Sequence, residues 1–204
     1  MKIIASFFSS VILIGCSYGA FTNTPPIHPE SITNAIEVNK SKDSTWNQLV
    51  AGLASNFFVI NTMDNKSGLI NLSFTADPEA YIDGGELHYA TLNRVDQSDT
   101  IESFDFPASR AIASYDIVSS RLPVSVNRQL QLKGKMNLLV SELSSTRSRL
   151  TANISYILIL NVTGGVNYNE TLTFLSGQSV KSGLDSVVYR SNGKLEQSIL
   201  NMVE

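Results

Sequence analysis

A chain of 204 residues with 43% hydrophobic content can build one ordinary core, and once a leader is discounted it has room for one ordinary domain or two very small ones. Charged residues make up only 16%, the net charge is −3 and the pI is near 5.4, so no basic footprint for a nucleic acid is present; Ser, Thr and Asn carry much of the polarity, which suits a β-rich chain. A single cysteine excludes an internal disulfide and leaves no cysteine–histidine spacing for structural zinc.

The chain opens with Met1 and Lys2, a short positive start, followed by an almost wholly apolar run over 3–14. A run of about 12 residues fits the apolar region of a signal peptide, whereas a spanning helix needs about 20. Residues 1–15 are therefore read as a removable leader. Leu13, Ile14, Gly15 and Cys16 resemble the lipobox of bacterial lipoproteins. That resemblance implies that the Cys16 thiol carries a diacylglyceryl group, that cleavage leaves Cys16 as the first residue, and that palmitate-type chains hold the protein to a membrane. The competing reading is an ordinary leader cut further on, after Ala20. Ser17 stands where, in lipoproteins of enteric bacteria, an aspartate would retain the product in the inner membrane, so the resemblance implies the outer membrane, facing the periplasm.

Residues 16–43 contain Pro25, Pro26 and Pro29, a polar Asn39-Lys40-Ser41-Lys42 run and few large apolar groups, which predicts an extended, flexible tether without a share in stability. At about 3.1 Å per residue such a segment reaches several tens of Å. The folded domain is expected over 44–204. Asp43 or Ser44 can cap a helix whose apolar face carries Trp46, Leu49, Val50, Leu53 and Phe57. Alternation over 57–63 and 69–75, around the turn residues 64–68, predicts a β-hairpin. Residues 76–85 read as a loop, 86–93 as a strand and 94–109 as a long acidic loop, while 110–128 fit either a short helix or a strand, with strand favoured over 114–118. Leu130, Leu132, Met136, Leu138 and Val140 share one parity, as do Leu150, Ala152, Ile154, Tyr156, Leu158, Leu160 and Val162. These runs predict a central antiparallel hairpin, with Gly134 as a bulge. A strand over 168–175 and a terminal helix capped by Asn192 follow. That helix buries Leu195, Ile199, Met202 and Val203 and flanks them with Lys194, Glu196 and Gln197. The fold class is α+β: an antiparallel sheet with helices on one face.

Residues able to do chemistry are sparse. His28 falls in the tether and His88 in a strand, neither beside a nucleophile, so His88 reads as a surface or locally bonded ring. Asp77, Glu79, Asp83 and Glu86 could in principle hold Ca²⁺, but they lack an EF-hand order and read as turn chemistry. Asp96, Asp99, Glu102 and Asp105 read as a solvated acidic loop. Neither Gly164-Gly165 nor Ser191-Asn192-Gly193-Lys194 forms a phosphate-binding pattern. No catalytic, metal or cofactor residue is assigned, no enzyme is expected, and Cys16 is the one candidate site residue.

Residues 46–74, an amphipathic helix before a hairpin, resemble the helix-plus-hairpin part of the helix-grip modules of BamC-like envelope-assembly lipoproteins. The resemblance implies a structural or adaptor component of an outer-membrane, secretion or conjugation assembly, with other envelope proteins as partners. The alternative is a tethered binding protein for a small molecule, glycan or lipid. A deep apolar pocket favours the second reading, and an exposed sheet edge or flat apolar patch favours the first.

Overall fold

The computed structural model describes residues 18–27, 31–95, 98–119, 122–165 and 167–204; the leader over 1–15 and Cys16 lie outside them. In chain order the elements are strands β1 (Tyr18–Thr24) and β2 (Ala35–Val38), helix α1 (Lys42–Ala54), strands β3 (Val59–Asp64) and β4 (Leu69–Ala76), helix α2 (Pro78–Tyr81), strands β5 (Ile82–Asp83), β6 (Glu86–Val95), β7 (Ser98–Pro107), β8 (Ile112–Ser119), β9 (Leu122–Ser144), β10 (Arg147–Thr163), β11 (Tyr168–Leu175), β12 (Ser179–Lys181) and β13 (Val188–Ser191), and helix α3 (Lys194–Leu200). The chain is mostly antiparallel sheet, 57% strand, with three short helices among the described residues.

The largest sheet has the order β11-β10-β9-β4-β3, with β2 also pairing β10 and β8 also pairing β9. Its spine is the β9–β10 hairpin, whose register runs from Ser144 beside Arg147 to Asn127 beside Thr163. Strict alternation explains why both strands are so long: even-numbered residues from Val126 to Val140 on β9 and from Ser148 to Leu160 on β10 are buried, while their odd neighbours face outward. Helix α1 lays Trp46, Leu49 and Leu53 into the same core, and the Thr45 and Ser148 hydroxyls meet across that contact at 2.8 Å. Its cap is Ser41, two or three residues earlier than expected, with Ser41 Oγ accepting from Ser44 N at 3.3 Å. Phe57 lies beyond the helix and is exposed. Gly134 is not a bulge, because register continues through the Tyr156–Gly134–Phe74 row. It is glycine for space: a Cβ there would lie 2.4 Å from the Phe74 ring, which crosses the strand to meet Tyr156 edge-on at 6.2 Å.

Two expected loops are structured. The acidic stretch over 94–109 contains β7, which pairs with β6 from Glu86–Pro107 to Val95–Ser98. Phe104 and Phe106 turn inward and Asp105 outward, so two residues of apolar parity outweigh the acidic composition. The stretch over 76–85 holds α2 and β5, with Asp77 capping α2. From Ile112 onward the described part of the uncertain 110–128 stretch is strand, namely β8 and the start of β9.

The tether is corrected as well. Tyr18–Thr24 adds β1 to β6, and Ala35–Val38 adds β2 to β10, with Val38 buried. Strand addition along an open sheet edge is driven by backbone hydrogen bonds and needs no apolar stripe, which is why composition missed it. Pro25 and Pro26, which lack an N–H, follow immediately after β1.

Candidate functional site

Where β9 runs past the helices, its inward face is left for other elements to cover. There Val126 and Arg128 of β9, Tyr115 and Ile117 of β8, Leu87 of β6, Val162 of β10 and Tyr168 of β11 surround a cavity of about 410 Å³. Leu184, Asp185 and Ser186, from the loop between β12 and β13, form another wall. The volume lies in the range that accommodates small ligands. Gly164 and Gly165 complete the rim; a Cβ on Gly164, whose φ is +107°, would lie 2.0 Å from the Ser125 carbonyl oxygen. Behind β8 stands an aromatic stack, with Phe104 at 5.0 Å from both Tyr89 and Tyr115 and Phe106 at 5.5 Å from Tyr115.

Arg128 is 1% exposed and takes an inward position between Val126 and Leu130. A buried guanidinium is costly unless its donors are matched. Its Nη2 donates to the Ala108 carbonyl at 2.7 Å and to the Tyr189 hydroxyl, and Nη1 donates to the Arg110 carbonyl at 3.4 Å. Nε is buried with no acceptor among the described residues, 3.9 Å from Asp185 Oδ2. Burial pushes the Tyr189 hydroxyl well above its ordinary range, with Arg128 opposing the shift and Asp185 reinforcing it; Tyr115 is raised chiefly by burial too. Both phenols stay protonated at neutral pH. These two phenols therefore offer hydrogen bonds without acting as titrating bases.

The loop carrying Asp185 is held in place. Ser182 Oγ donates to Glu170 Oε2 at 2.8 Å, Gly183 N donates to Glu170 Oε1 at 3.0 Å, and Asp185 Oδ1 accepts from Val187 N at 3.1 Å. Ser186 adopts φ +58°, a left-handed conformation uncommon outside glycine and a mark of constraint.

A second buried polar cluster does not line this cavity. Glu196 of α3 is 0% exposed, and its carboxylate accepts from Tyr156 OH at 2.7 Å and from Ser176 Oγ. Ser191 Oγ lies 3.2 and 3.3 Å from its two oxygens. Burial, with Glu196 adding to it, raises the Tyr156 pKa far out of the physiological range. Glu196 is thus a core residue rather than part of the polar flank of the helix. Hydroxyls on β10, β13 and the turn after β11 make that possible.

Of the residues singled out in the sequence, Cys16 lies outside the described residues. His88 is bonded locally across the strand pair to Asp105, both side chains being open to solvent. Asp77 and Asp83 accept from the nearby backbone N–H groups of Glu79 and Gly85 at 3.1 and 2.8 Å, which is turn chemistry. Of the acidic stretch, Asp99, Glu102 and Asp105 lie on β7, with Asp105 making the His88 contact, and Asp96 lies outside the described residues. Sequence reasoning missed Arg128 and Asp185. Arg128 carries a signal: it shares the parity of Leu130 and Leu132, and a charge at an apolar position of a buried strand marks a site to inspect. Asp185 carries none, because its position depends on how the 182–187 loop folds back.

No family model matches the chain, and no curated protein or solved structure matches it either.

Proposed function

We propose that the protein is a lipid-anchored binding protein of the bacterial envelope, which holds a small, largely apolar molecule in the cavity between β8, β9, β10 and the 182–187 loop. The cavity carries the reading: apolar side chains from five strands converge on a half-open cleft with one buried charged group at its wall, the usual composition of a small-molecule site. Its polar groups include the Tyr115 phenol, which burial keeps protonated, the fixed Arg128 guanidinium and the Asp185 carboxylate facing it, a set that suits holding a ligand.

The lipobox supports attachment through Cys16, and β1 begins only two residues later, at Tyr18. Tyr18 pairs with Leu92, and Leu87, at the cavity wall, lies five residues along β6 beside Asn23. At about 3.3 Å per residue the cavity then stands ~16 Å from the anchored end, within reach of the membrane surface. A ligand drawn from the lipid phase fits this placement, and outer-membrane sorting follows from Ser17. We further infer that α1 and α3 cover one face of the large sheet. Thr45 meets Ser148 and Glu196 meets Tyr156, both even-numbered positions of β10.

An adaptor role is the second reading, and the open edge of β3 favours it: Val59 and Met63 are 61% and 50% exposed there. Purification of the full chain from solubilised membranes separates the two. Binding predicts a lone protein with an apolar compound in its solvent extract, lost on Val162→Trp, which fills the cavity. A defined large complex and extracts that do not differ between the two proteins would reject it. Replacing Cys16 by serine should abolish labelling with a palmitate analogue and release the protein from the membrane; unchanged attachment without label would reject the anchor.

A further inference from the structure

The two charged residues at the cavity wall form an incomplete pair. Arg128 is gripped from behind, its Nη groups held by the Ala108 and Arg110 carbonyls and by Tyr189, so the plane of the guanidinium is set. Its Nε, the one guanidinium nitrogen left without a partner, meets no acceptor among the described residues. The nearest charge is Asp185 Oδ2 at 3.9 Å, beyond hydrogen-bond reach. A shift of Asp185 by roughly 1 Å would turn this loose ion pair into a hydrogen-bonded one. The loop that carries Asp185 opposes the shift. Glu170 holds it through Ser182 and Gly183, and Val187 N holds the other Asp185 oxygen. A buried donor and a partly accessible acceptor, 20% exposed, are thus kept facing each other 3.9 Å apart at the cavity wall.

The group that completes this pair has to accept from Nε–H and donate to the carboxylate. A hydroxyl does both: an oxygen at about 2.9 Å from Nε and about 2.7 Å from Oδ2 spans a 3.9 Å separation. A carboxylate or phosphate would set a second negative charge against Asp185, and an ammonium would confront the guanidinium. Either would also be stripped of water in an apolar cavity, which costs far more than burying a neutral hydroxyl. An ether accepts from Nε–H but has nothing to give Asp185.

Resting on the reading of the cavity as a binding site, we propose that its ligand is an uncharged amphiphile whose hydroxyl lies between Arg128 Nε and Asp185 Oδ2, with its hydrocarbon against Leu87, Ile117, Val126 and Val162.

The test uses the full lipid-anchored chain in phospholipid nanodiscs and four diazirine-bearing photoprobes that share one hydrocarbon chain: decanol, its methyl ether, decanoate and decylamine. Labelled peptides are mapped by mass spectrometry with and without excess unlabelled decanol. Decanol should label residues of β8 and the 182–187 loop saturably. The ether, the carboxylate and the amine should each label about tenfold less or weaker still, as expected when a site built to pair a hydroxyl meets an analogue lacking it. In Asp185→Leu the preference for decanol over its ether should disappear. The ether comparison is made on the unaltered protein, so it stands even if that variant fails to fold. Equal, saturable labelling by all four probes would leave the cavity as a binding site and overturn the hydroxyl assignment, as would preference for decanoate or decylamine. Absence of competable labelling at the cavity would overturn both.

Discussion

Glu196 and Arg128 are both charged and both removed from water, but their surroundings treat them differently. The Glu196 carboxylate is met by three hydroxyls, from Tyr156, Ser176 and Ser191, and none of these four residues lines the cavity beside Arg128. Arg128 has two of its three nitrogens matched, while the third faces Asp185 across a gap at the wall of a cavity. A fully matched buried charge fixes architecture: Glu196 clamps α3 to β10 and β13, as its partners show. A partly matched one beside a space holds free energy that a ligand can recover, because leaving a buried donor unmet costs about 1–3 kcal/mol.

The largest effect should come from removing the clamp together with its helix. Leu195, Ile199, Leu200 and Val203 are all buried, and each such side chain is worth about 1.5–3 kcal/mol, so together they rival the roughly 5–15 kcal/mol of an ordinary domain. Deleting residues 192–204 should abolish cooperative thermal unfolding. Next comes Glu196→Ala, which leaves the buried Tyr156 and half-buried Ser176 hydroxyls without their acceptor and should lower stability by about 2–4 kcal/mol in urea titration. The folded fraction should still take up decanol, since the clamp lies away from the cavity. A loss of uptake at full folding would show that the two clusters are one device and break the comparison.

Arg128→Met should cost less, about 1–3 kcal/mol, because two carbonyls and a phenol lose a donor, and it should also abolish the preference for a hydroxyl. Asp185→Leu gives up one backbone bond, to Val187 N, and should cost about 1 kcal/mol. If Asp185→Leu destabilised as strongly as Glu196→Ala, the Arg128–Asp185 pair would be structural after all. The smallest effect concerns a pair that is open to water. Hydrogen bonding from Arg149, at 2.5 Å, holds Glu37 below its ordinary 4.5, with the charges of Arg149 and Arg147 helping. A carboxylate with a lowered folded pKa contributes stability above its unfolded pKa and loses that contribution as pH falls through the folded value. Glu37→Gln should therefore be slightly less stable than the parent at neutral pH, with the difference vanishing in acid.

The same two clusters mark how far the sequence is legible. The β9–β10 spine, the β3–β4 hairpin and β11 are written in alternation, and alternation is a local signal. Glu196 is not legible, because a carboxylate next to an apolar stripe belongs on the surface unless hydroxyls from distant strands arrive to meet it. Ser176 and Ser191 announce nothing of that kind on their own. β1 and β2 escape for a related reason: their pairing uses backbone groups, which every residue has. β7 escapes because its acidic residues dominate the composition, although Phe104 and Phe106 carry the inward parity. At the site, Arg128 can be suspected from its place among apolar even-numbered residues, but the gap to Asp185 exists only once β11, through Glu170, has set the 182–187 loop.

The central claim is that the cavity between β8, β9 and β10 is a binding site, and methyl spectroscopy of the full chain in nanodiscs tests it most directly. With Leu, Val and Ile methyl groups labelled, added decanol should shift the resonances of Leu87, Val126, Val162 and Leu184 along saturating curves. Those of Val59 on the open edge, and of Leu139 on the outer face, should stay in place. Shifts that are spread evenly over exposed methyl groups, or that centre on Val59 while the cavity methyl groups stay fixed, would contradict the account.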